Sequence, residues 1–130
     1  MTVLSDFLTE LSNKFPKLNV FILSGNHDDA KLLYFAKDFF RKANIHICTD
    51  LSDIQKPVII TSAKNESEKA AIYQIPYLEA YSFADLRRQQ ELYEKATEII
   101  KENHKNNEDC FSIVCAHLFA IKSIVNDAER

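Results

Sequence analysis

Glycine is nearly missing from this chain: 130 residues contain one, Gly25. Where the most permissive backbone is used only once, its position carries weight. Cysteine is scarce and odd in number, three residues without regular spacing. That count argues against a disulfide-built secreted fold and for reduced thiols in a cytoplasmic protein. No apolar run approaches the roughly 18 residues of a membrane span. The N-terminus also lacks the basic-then-apolar pattern of a secretory signal. Positive charge is not in excess, with 16 Lys and Arg against 19 Asp and Glu and a formal net charge of −3. No global basic field therefore draws the chain toward nucleic acid, and such a partner needs a local patch or a metal site. Repeats, low-complexity segments and domain boundaries are absent as well, so residues 1–130 read as one domain. A hydrophobic content of 46% is enough to give that domain a core.

One stretch organises what is present: Val20-Phe21-Ile22-Leu23-Ser24-Gly25-Asn26-His27-Asp28. Its apolar start reads as a buried strand running into the only glycine, then into three residues that can bind a metal or move a proton. A helical pattern follows. Open α/β sheets place ligands at such strand ends, in the turn before a helix. Gly25 suits a sharp turn, with positive φ as one means of making it. Asn26 offers an amide oxygen, His27 an imidazole and Asp28 a carboxylate. The same residues also read as a plain strand-to-helix turn in which Asn26 and Asp28 cap the next helix.

Periodicity supplies the frame around this stretch. Leu4, Phe7, Leu8, Leu11 and Phe15 share one helical face, and Pro16 ends that helix. A strand over residues 18–23 precedes a second helix with Leu32, Leu33, Ala36, Phe39, Phe40 and Ala43 on its apolar face. A short strand, Ile45-His46-Ile47-Cys48, completes a βαβ unit and leaves His46 on its less buried face. Residues 57–63 and 70–78 read as a hairpin around a polar turn. Ser82 and Asp85 form a capping-box pattern before a long charged helix striped by Leu86, Tyr93, Ala96, Ile99 and Ile100. Residues 111–116 predict a further apolar strand that delivers His117 at its C-terminal end. The tail from Leu118 is amphipathic. Cys110 and Cys115 differ by an odd number, so one strand turns them to opposite faces and zinc through Cys110, Cys115 and His117 is not expected.

Ser24-Gly25-Asn26-His27-Asp28 after an apolar strand resembles the Gly-Asn-His-Asp signature of calcineurin-like metallophosphoesterases. Ile75-Pro76-Tyr77-Leu78, a helix, Ile113-Val114-Cys115-Ala116-His117-Leu118-Phe119 and Asp127-Ala128-Glu129-Arg130 follow in the order of the SbcD-type DNA exonuclease subunits. The resemblance covers nearly the whole chain. It implies an α/β fold of the α-β-β-α sandwich type and metal-dependent phosphodiester hydrolysis on DNA, in double-strand-break or hairpin processing. Manganese is the metal it implies, an SbcC-type ATPase the partner, and it allows a homodimer. By the same resemblance, Asn26 and His117 are metal ligands. His27 stabilises the transition state and protonates the leaving group, and Asp28 orients His27.

The chain departs from that pattern in three of five motifs. It has no Asp-x-His, and Gly-Asp-x-x-Asp and Gly-His-x-His both need a glycine other than Gly25. Lys122 stands where relatives often carry glycine. The expectation is thus the middle of a nuclease subunit, its sandwich incomplete at both ends and inactive alone. Two other readings remain: a metallophosphoesterase acting on nucleotides or phosphoproteins, and a non-catalytic interaction module on the same scaffold.

Overall fold

The structure, a computed structural model, describes residues 2–35, 37–49, 51–80 and 82–118. Helix α1 spans Thr2–Lys14 and leads to strand β1, Val20–Leu23. Helices α2, Ala30–Phe35, and α3, Lys37–Arg41, precede strand β2, Ile45–Cys48. Helix α4, Leu51–Ile54, and strands β3, Val58–Thr61, and β4, Lys69–Ile75, come next. Helix α5, Gln89–His104, a 3-10 turn, Lys105–Asn107, and strand β5, Cys110–Ala116, complete the described elements. Helices with both parallel and antiparallel strand pairs place the chain in the α/β class.

Strands β1 and β2 pair in parallel, Val20 with Ile45 through Leu23 with Cys48, as a βαβ unit requires. Strands β3 and β4 form the expected hairpin, while β4 pairs in parallel with β5. Tertiary packing overrides the sequence reading in several places. The single helix expected before Ile45 is two short pieces on either side of residue 36, which lies outside the described residues. Phe40 packs on the core, but Phe39 is 75% exposed, so the expected apolar face is only partly used. Among the described side chains of α1 only Leu8 is buried; Leu4 and Phe7 are exposed, as is Phe15 just after the helix. Asn44, in the turn between α3 and β2, takes φ 58°, the left-handed conformation that Asn tolerates. The capping box does not form: α5 begins at Gln89, and its N-cap, Arg88, makes no side-chain capping bond. The amphipathic tail, Lys122 and Asp127 to Arg130 lie outside the described residues.

Two clusters hold the elements together. Alternate residues of β4, Ala71, Tyr73 and Ile75, pack with Leu92, Ala96 and Ile100 of α5, the i, i+4, i+8 stripe of one helix face. Each large member of such a cluster contributes about 1.5–3 kcal/mol on burial. Ile45 and Ile47 of β2 meet Leu8, with Val20, Ile22, Leu33, Phe40 and Ala43 around them. Between the clusters sits Gln74, buried to 8% exposure. Its side-chain amide donates to the carbonyls of Ile22 at 3.1 Å and His46 at 3.3 Å, which ties β4 to both strands of the other sheet. The backbone continues the link, because the Ser24 carbonyl accepts from Tyr77 N–H at 2.8 Å. The C-terminal ends of β1, β4 and β5 therefore come to one place.

Candidate functional site

Ser24 fixes the entry to the turn. It is 4% exposed, its N–H donates to the Cys48 carbonyl at 3.3 Å, and its carbonyl holds Tyr77. Directly after it the chain emerges, and Gly25 and Asn26 are half-buried while His27 and Asp28 are exposed. An Asp28 carboxylate oxygen, Oδ2, accepts from the Gly25 N–H at 2.6 Å, and Asp28 N–H donates back to the Gly25 carbonyl at 3.4 Å. This reciprocal pair closes the turn and engages Asp28 with the loop backbone. The reason for glycine is close approach. A Cβ at position 25 would stand 3.2 Å from Asp28 Oδ2 and 3.2 Å from His117 Cε1. Gly25 does not take positive φ, so left-handed geometry, offered above as one means of turning, is not what the position requires.

His117 arrives from the other side, one residue past β5. Its N–H donates to the Ile75 carbonyl at 3.1 Å, and its ring meets Tyr77 edge-on, with centroids 5.8 Å apart at 83°. Its carbonyl accepts from the Tyr93 hydroxyl, and that same hydroxyl accepts from Leu78 N–H at 3.3 Å. Burial followed by the Leu78 bond sets the balance at Tyr93, whose ionisation is pushed up, so the phenol remains a proton donor. Tyr93 thus clamps two strand-end turns from the side of α5. The structure brings Gly25 and Asp28 together with His117, which lies 92 residues beyond Gly25 in the chain. Ser24, Gln74, Tyr77 and Tyr93 were not singled out as site residues by sequence. Tyr93 reads as one more stripe residue of a helix, and only its hydroxyl, which a buried tyrosine must satisfy, could have marked it.

The donor set does not fit a two-metal centre. Asn26 and His117, the ligands that the resemblance implies, bring no negative charge, and one oxygen of the nearby carboxylate, Asp28, is already bonded to Gly25. Among the described residues, no three His, Cys, Asp or Glu side chains converge as a metal-holding group. The remaining histidines are accounted for elsewhere. His46 stacks on Phe21 with centroids 5.0 Å apart and bonds Asn19 at 2.9 Å, and His104 contacts the Tyr73 hydroxyl at 3.4 Å. Among the described residues, no helix is long and apolar enough to cross a membrane. No protein-family model and no curated protein matches the chain.

Proposed function

We propose that this chain presents one part of a phosphodiester-hydrolysing site of the SbcD type, with DNA ends as the substrate class and an SbcC-type ATPase as partner. The observation that supports the reading most directly is the meeting of two strand ends on Gly25, where Asp28 and His117 both stand 3.2 Å from the position a Cβ would occupy. The turn and the strand end that meet there are the two places where the family resemblance puts Asn26 and His117. His27, exposed on this turn, is the residue to which this reading gives the proton for a leaving oxygen, and Asp28 holds the turn that carries it. The bound metal of such a site would neutralise charge on the phosphate. Neutral Asn26 and His117 bring no charge to retain it, so weak manganese binding at a single position is the expectation for this chain.

A second reading rests on the donor set. With no three ligands converging among the described residues, the chain can act as a non-catalytic interaction module on the same scaffold. A nuclease assay with a complementation arm separates the two. The purified protein is incubated with double-stranded DNA ends and manganese, with His27→Ala as the contamination control. Both readings of the isolated chain predict no cleavage; digestion that needs manganese and disappears in the control would show that the ligand set is complete and overturn both. Restored cleavage on adding an Asp-x-His and Gly-Asp-x-x-Asp segment in trans supports the partial-site reading.

A further inference from the structure

We propose that the edge of β2 opposite β1 carries a pocket for a terminal phosphate group, inorganic phosphate or a phosphomonoester, held by Arg41 and Lys56. A pocket of about 40 Å³ lies against Ile45, His46, Ile47 and Cys48. Alternate side chains leave a strand on opposite faces, so a pocket that reaches four consecutive residues runs along the strand's edge. Val20 N–H donates to the Asn44 carbonyl at 2.9 Å and Ser24 N–H to the Cys48 carbonyl at 3.3 Å. The even-numbered residues along β2 therefore serve β1, and Ile45 and Ile47 turn their N–H groups to the pocket edge.

The charge around this pocket is one-sided. Among the described residues, Lys37, Arg41 and Lys56 line it with a single carboxylate, Asp53. Asp53 is already committed: its Oδ2 accepts from Lys37 Nζ at 2.5 Å, with both side chains largely buried. That pair ties α3 to α4. It leaves Arg41, one helical turn beyond Lys37, and Lys56, just after α4, without an ion-pair partner among the described residues. Like charges lining one small pocket repel, and an anion between them removes that cost.

Size and charge select the occupant. The volume admits roughly three water-sized atoms at about 10–15 Å³ each, and a phosphate monoester presents three terminal oxygens. Three cations against one carboxylate leave an excess of two positive charges. A monoester, at about −1.5 to −2 near pH 7, matches that excess, and the Arg41 fork suits its oxygens. A phosphodiester within a strand brings one charge and carries a sugar on each side, so it matches the pocket less well. His46 reports on the occupant. The charged groups that line the pocket with it are Lys37 and Arg41 from α3, and Asp53 and Lys56 from α4 and its end. Burial first, and the Arg41 charge second, keep its imidazole below the ordinary histidine value. An anion that offsets Arg41 raises it.

Inorganic phosphate added to the full chain should raise its thermal midpoint above that in chloride of equal ionic strength. Followed by nuclear magnetic resonance, it should also raise the pH at which the His46 ring titrates. A 5′-mononucleotide should give the same His46 shift, and an oligonucleotide without terminal phosphates should give none. Arg41 and Lys56 are exposed, so Arg41→Gln and Lys56→Gln should fold as the parent does. Each should lose most of the midpoint rise and of the His46 shift. Lys42→Gln, which removes an exposed cation outside the pocket, should keep both. The proposal is overturned by an unmoved His46, by a shift in Arg41→Gln and Lys56→Gln equal to the parent's, by an equal loss in Lys42→Gln, or by an equal response to the oligonucleotide. Neither readout involves a metal or cleavage, so failure here is distinct from failure of the phosphoester reading.

Discussion

Gly25 is the residue on which the site closes, and its role is steric. With Asp28 Oδ2 and His117 Cε1 each 3.2 Å from a Cβ built there, an alanine forces its neighbours to move by a few tenths of an ångström. The His117 ring is packed on Tyr77 and its carbonyl is held by Tyr93, so it has little room to yield. Gly25→Ala should cost about 1 kcal/mol, the low end for overpacking. The urea midpoint measures that loss, and the His117 ring resonances should shift with it; unchanged stability and unmoved resonances would remove the close approach. His46 makes a second prediction at this scale. Burial first, and the Arg41 charge second, hold its imidazole below the ordinary histidine value. The folded chain keeps His46 neutral, and the unfolded chain takes up the proton more readily. Its contribution is therefore fully present above about pH 6.5 and is lost as pH falls through the depressed folded value. His46→Gln should lose less stability than the parent between neutral pH and about pH 5. Equal losses in the two proteins would contradict the assignment.

Among the elements, the join between the two sheets decides whether a site exists. Gln74 makes that join with one amide, bonded to a carbonyl in each of β1 and β2. Gln74→Leu keeps the volume but removes the amide's bonds to two carbonyls that retain their β1–β2 ladder bonds, at a cost of about 0.5–1.5 kcal/mol each. The loss should appear as lower protection from hydrogen exchange at Ser24 and Tyr77, whose mutual bond lies just beyond the join. Protection unchanged at both residues would mean that the backbone alone carries the link. The parallel unit and the hairpin were legible in sequence because alternation and turn residues are local signals. The start of α5 was not. Ala84 takes φ 47°, and Leu86 N–H bonds the Phe83 carbonyl, so the chain makes turns where the capping pattern promised a helix. Propensity in that segment yields to the packing of Phe83 and Leu86 against the β4–α5 cluster.

For the whole molecule, Asn26, His27, Asp28 and His117 stand out in the sequence as polar residues at the ends of apolar runs, in the places where the family resemblance puts its site. Their supports do not, because Tyr77, Tyr93 and Gln74 matter through contacts with residues distant in sequence. The proposed function requires Asn26 and His117 to lie close enough at these converging strand ends to share one weak metal position, with His27 beside it and outside the ligand set. A manganese titration followed by nuclear magnetic resonance tests it most directly, through paramagnetic broadening of side-chain signals. The Asn26 amide and the His117 ring should broaden together and early in the titration. Asn26→Ala should weaken the effect at His117, and His27→Ala should leave it nearly intact. Broadening of one residue without the other, or a loss in His27→Ala as steep as in Asn26→Ala, would contradict the account.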